Sequence, residues 1–225
     1  MNRLKAIGYK EWHKTKLALT LGLLILSVLL IHNAITLHTA IRFSGADALW
    51  EAVILKSYVP IESLRYLPII IAVAVGVAQF FPEYQSKRLK LTLHLPVNET
   101  LHYTTILLYG VVVLSVIVLI PYLLYLLFAS QYFPREVISF WSHSVWVPYL
   151  ASITAYLLTA WVIIEPTMWK RICNLLISVA VVGVFYHLKS SAQYMENYVW
   201  LVLLVMLAFV FNFNSLTNFK NGGDF

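Results

Sequence analysis

A chain of 225 residues that is 60% hydrophobic and only 12% charged, with a mean hydropathy of +0.78, lies outside the range of soluble domains. At about 20 apolar residues per helical crossing of a hydrocarbon core about 30 Å thick, it has room for roughly five to seven spans and no separate soluble domain. The net charge of +6 would suggest nucleic acid as a partner of a soluble protein, but in a membrane protein Lys and Arg collect in cytoplasmic loops, so membrane lipid is expected and nucleic acid is not.

Residues 1–16 are basic, with Arg3, Lys5, Lys10, Lys14 and Lys16 against Glu11 alone. At helical spacing Leu4, Gly8, Trp12 and Thr15 share one side and Arg3, Lys10 and Lys14 the other. Such a segment can lie in the headgroup layer with Trp12 buried and its lysines toward anionic lipid. The apolar run from Leu17 to Leu37 is too long for a cleaved leader, so a retained first span is expected. His32 and Asn33, near its outer end, either line a translocation path or serve as interfacial and interhelical packing groups. Thr39 to Ser63 reads as the longest loop, with a short interfacial or re-entrant helix over Ala46 to Leu55.

The second span covers Leu64 to Phe81, with Pro68 tolerated in its first turns and Gly76 suited to a close helix contact. A third follows over Tyr103 to Phe128, where Pro121 predicts a kink and not a break. Ala129 to Ser144 reads as an outer loop, Val145 to Ile164 as the fourth span, and Glu165, Pro166, Lys170 and Arg171 as a tight inner turn. Ile172 to His187 and Val199 to Phe213 give a fifth and a sixth span, with a re-entrant hairpin as the alternative. The lone cysteine, Cys173, excludes an intrachain disulfide. With both termini inside, eleven of the sixteen Lys and Arg fall on the inner side, so a multi-pass plasma (inner) membrane protein with cytoplasmic termini is expected.

Between the second and third spans lies a polar, basic island, Glu83 to Thr100. Glu83 has Lys87 four residues on, the spacing of a helical ion pair. Leu89, Leu91, Leu93 and Leu95 alternate with Lys90, Thr92 and His94, a strand periodicity, but a strand between spans has no pairing partner. A short interfacial helix ended by Pro96 is therefore expected. The island resembles the cytoplasmic loop after the second span of ABC-2 type transporter permeases: Glu83, a Leu-rich run, then Pro96, Val97 and Asn98, with Lys87 and Arg88 where the family tends to carry Gly-Thr. The resemblance implies an all-α membrane domain of six transmembrane helices with an N-terminal amphipathic elbow helix over 1–16. It also implies a coupling helix in loop 83–100 that docks on a separate nucleotide-binding ATPase subunit. Glu83, Lys87, Arg88, Lys90, Leu91, His94, Leu95 and Pro96 would be the ATPase-coupling residues.

The chain carries no phosphate-cradling Gly-rich loop with Lys and Ser/Thr, no His-Glu-x-x-His helix and no Gly-x-Ser-x-Gly elbow. No catalytic residue, metal ligand or cofactor is therefore expected in this chain, and the resemblance places ATP and Mg in the partner subunit. The reading is the permease subunit of an ATP-driven exporter. It would form half of a translocation path with a second copy or a similar permease, as a homo- or heterodimer. A non-transporting membrane anchor or assembly factor, or a membrane-embedded lipid-modifying enzyme, is the alternative.

Overall fold

The computed structural model describes residues 3–45, 51, 59–85, 99–187 and 191–220. Within them every element is helical: α1 (Arg3–Ser44), a 3-10 turn (Pro60–Leu64), α2 (Leu67–Gln85), α3 (Glu99–Ala129), α4 (Arg135–Ile164), α5 (Met168–His187) and α6 (Ser191–Lys220). All six α-helices are long and apolar enough to cross a membrane, so the chain is a multi-pass membrane protein. In a bilayer a helix satisfies its own backbone, which is why long apolar runs take this form.

The expected apolar runs fall in these helices, the second entering α2 only at Leu67 after the 3-10 turn, and the boundaries differ from the sequence expectation at two further places. α1 is one unbroken helix, so residues 3–16 run straight into the span and form no separate elbow. It has no proline, and Thr15, Thr36 and Thr39 return their hydroxyls to the carbonyls of Glu11, His32 and Ile35. The helix also continues past Leu37 to Ser44. It stops at Gly45, whose φ of 81° and amide bond to the Ile41 carbonyl make a left-handed cap. At 1.5 Å per residue α1 is about 63 Å long, well beyond a bilayer of about 40–45 Å.

Second, α4 starts at Arg135, directly after the extended Pro134, so Trp141 and His143 belong to the helix and not to a loop. α5 and α6 are two helices each long enough to span, as expected, and the re-entrant alternative is set aside. Ala46 to Leu55, expected as an outer helix, lies outside the described residues except Glu51.

α4 is the central rod, packed against α2, α3, α5 and α6, while α1 lies on α2 and α3. Of its apolar stretch 78% is buried inside the bundle, against 11% for α5. Glycines permit the closest crossings. A Cβ on Gly76 would stand 3.0 Å from Thr159 of α4, and one on Gly110 of α3 would fall into the Tyr156 hydroxyl.

Candidate functional site

Successive helices alternate in direction, so the start of α1, end of α2, start of α3, end of α4, start of α5 and end of α6 meet at one end of the bundle. Most of the buried polar side chains gather there, among them Glu11, Thr15, Gln79, Glu83, Glu165, Asn212 and Ser215. Polar groups at such depth are costly and persist when they satisfy one another.

Three tiers can be followed from the bilayer middle outward. In the first, the Tyr156 hydroxyl of α4 donates to Gln79 Oε1 of α2 at 2.8 Å, and Gln79 Nε2 donates to the Ile106 carbonyl of α3 at 3.1 Å. In the second, the Tyr103 hydroxyl of α3 donates to Asn212 Oδ1 of α6 at 2.8 Å, and Asn212 Nδ2 donates to the Leu157 carbonyl of α4 at 3.0 Å. Phe80 stands between the tiers, with ring centroids 6.0 Å from Tyr156 and 6.5 Å from Tyr103.

The third tier is ionic. Lys14 Nζ lies 2.7 Å from Glu11 Oε1 and 2.8 Å from Glu83 Oε1, and Lys10 Nζ lies 2.8 Å from the same Glu83 oxygen. Glu11 is fully buried and Glu83 is 3% exposed, so both carboxylates depend on these ammonium groups for their charge balance. Glu83 Oε2, Glu11 Oε2 and His102 Nε2 are buried there without a hydrogen-bond partner among the described residues. Beside this tier, Ser215 Oγ donates to Glu165 Oε2 at 2.5 Å, and Arg171 donates through Nη2 to the Glu165 carbonyl at 2.7 Å. The Arg171 guanidinium also lies 4.5 Å above the Tyr84 ring, linking the start of α5 to the end of α2.

Glu83 is therefore a buried structural anchor and is not paired only along its own helix. Its partners come from α1, and Lys87 lies outside the described residues. Lys10 and Lys14 correspondingly turn into the protein and not toward lipid. Arg88, Lys90, Leu91, His94, Leu95 and Pro96 also lie outside the described residues. At the opposite end His32 is exposed on α1, and Asn33 Nδ2 donates to the Pro60 carbonyl at 2.9 Å, a packing role.

Gln79, Tyr103, Tyr156 and Asn212 were not singled out by sequence reasoning. The available signal was an isolated amide inside an apolar run, as at Gln79 and Asn212, which in a span marks an interior face. Among the described residues no group of His, Cys, Asp and Glu is arranged to hold a metal ion. No family model, no curated protein and no solved structure matches the chain.

Proposed function

We propose that this chain is the membrane subunit of an ATP-driven transporter, an exporter of the ABC-2 permease type, which receives work from a separate ATPase through the loop between α2 and α3. The observation that carries this reading is the way both roots of that loop are fixed. On the α2 side Glu83 is held by Lys10 and Lys14 and Gln79 by Tyr156; on the α3 side Tyr103 is held by Asn212. A force on the loop is thereby delivered to α1, α2, α3, α4 and α6 together, as rigid-body coupling requires.

In this mechanism a helix over Lys87 to Leu95 docks on the ATPase, with Leu91 and Leu95 as apolar knobs and Lys87, Arg88, Lys90 and His94 as polar contacts. Closure of the ATPase pair on ATP then moves the ends of α2 and α3. A second permease completes the path, and the loop and both termini face the cytoplasm. Nucleotide and Mg belong to the ATPase.

The test is purification of the tagged chain from native membranes in mild detergent. A nucleotide-binding subunit should co-purify stoichiometrically and be lost from Leu91→Asp/Leu95→Asp. A folded, monodisperse chain without such a subunit would sink this reading in favour of a membrane anchor.

A further inference from the structure

α1 carries its cations on two faces with different fates. Lys10 and Lys14 are spent on Glu83 and Glu11. Lys5, Tyr9, Trp12, His13 and Lys16, at helical spacing on the other side, are all exposed, Tyr9 by 72% and Trp12 by 45%. The Tyr9 and His13 rings lie 6.0 Å apart along this stripe.

The depth of the stripe follows from the exposed aromatic residues. Trp169, 79% exposed beside the exposed Lys170, sits within a turn of Arg171, which stacks on Tyr84 next to Glu83. Trp12, between Lys10 and Lys14, is at the same level. At 1.5 Å per residue Trp12 is about 31 Å along α1 from Asn33, which bonds Pro60. Trp169 is likewise about 26 Å along α5 from Tyr186, whose hydroxyl bonds the Arg65 carbonyl and whose ring packs on Tyr66. These separations match the hydrocarbon thickness of about 30 Å and place Trp12 at one boundary.

Lys16 starts about 6 Å deeper than Trp12, but a helical side chain leans toward its N-terminus, so its ammonium returns to the boundary. Lys5 starts about 10 Å on the other side and leans the same way, so its ammonium faces the water side of the headgroups. Lys16 thus reaches the phosphate layer, and below it the exposed Leu23, Leu24 and Ile31, seven, eight and fifteen residues on from Lys16, continue the stripe into hydrocarbon.

We propose that this face of α1 is a binding surface for anionic phospholipid, with the headgroup phosphate at Lys16 against Trp12 and His13, Lys5 reinforcing the positive field on the water side, and an acyl chain along Leu23, Leu24 and Ile31. The surface needs the membrane placement alone and stands or falls independently of the ATPase.

The full chain is reconstituted in mixed phosphatidylcholine–phosphatidylglycerol vesicles in which one lipid or the other carries brominated acyl chains. The Trp12 contribution is taken as the fluorescence of the wild type less that of Trp12→Phe. Brominated phosphatidylglycerol should associate with Trp12 at least about threefold better than brominated phosphatidylcholine, within the roughly fivefold available per lysine near an anionic surface. The preference should shrink in high salt and in Lys5→Gln/Lys16→Gln, and persist in Lys5→Arg/Lys16→Arg and Lys170→Gln. Equal quenching by the two lipids, or a preference unchanged by salt, would overturn the proposal without any variant having to fold. Absence of quenching by either lipid would overturn it too, because protein, such as a second copy, would then cover the face.

Discussion

The two ends of the bundle are fastened by different means. At the end that holds the start of α1, side chains bond one another across helices: α1 to α2 through Lys14 and Glu83, α4 to α2 through Tyr156 and Gln79, and α3 to α6 through Tyr103 and Asn212. At the opposite end the cross-helix bonds converge on the backbone before α2. Asn33 of α1 reaches the Pro60 carbonyl, Tyr122 of α3 the Leu64 carbonyl at 3.4 Å, and Tyr186 of α5 the Arg65 carbonyl at 3.0 Å. A carbonyl accepts from any donor of suitable reach, whereas a buried carboxylate shared by two lysines also needs the positive charge that a neutral donor does not bring. One end is thus chemically specified, and the other is a hanger on which helices can be re-registered.

The largest effect that separates the ends should come from Lys14→Met. It leaves Glu11 and Glu83 without the ammonium they share, and breaking a buried pair costs about 3–5 kcal/mol. Unfolding of the purified chain in mixed micelles of rising sodium dodecyl sulfate reads this out. Adding Glu11→Gln should return much of the loss; a penalty under about 1 kcal/mol in the single variant would mean that water screens the site.

A smaller contrast is steric. Gly110→Ala drives a methyl group into Tyr156 and should cost about 1–3 kcal/mol in the same assay. Gly183→Ala, with nothing within 4 Å of its Cβ, should stay within about 0.5 kcal/mol. Equal effects would show that the close approach at Gly110 relaxes freely.

The smallest is a comparison of single hydrogen bonds. Tyr156→Phe leaves Gln79 Oε1 without its donor in the interior and should cost toward the upper part of the roughly 0.6–1.7 kcal/mol found for bonds within membranes. Asn33→Ala, half-buried at the carbonyl hanger, should fall at or below about 0.6 kcal/mol. If the order reversed, the specified end would be the wrong one.

Much of this architecture was legible in the sequence, because a membrane span announces itself by length and composition. The apolar runs from Leu17, Tyr103, Val145, Ile172 and Val199 each sit within one helix, and the run from Leu64 enters α2 at Leu67. Gly76 was readable as a close contact because little else explains glycine between valines in a span. The partner of Glu83 was not legible. Sequence spacing exposes pairs three or four apart, and Lys14 is 69 residues away, brought close only by the packing of α1 on α2. The missing break after Lys16 was illegible for a related reason. Basic composition marks where a helix leaves hydrocarbon, but it does not stop one, and nothing before Gly45 does. Tyr103 and Tyr156 read as ordinary aromatic residues, since nothing local tells a tyrosine with a buried bond from one anchored at the interface.

The α1–α2 ion pairs also have a history in time. Synthesis delivers α1 before α2, so Lys10 and Lys14 meet the bilayer with Glu11 beside them and count among the charges that orient this helix. Glu83 arrives only when α2 has been made, and it then draws the same two lysines into the fold. The orienting signal is thus consumed by assembly: once α2 has docked, turning α1 around would carry Glu11 with it and abandon Glu83 in a water-poor site.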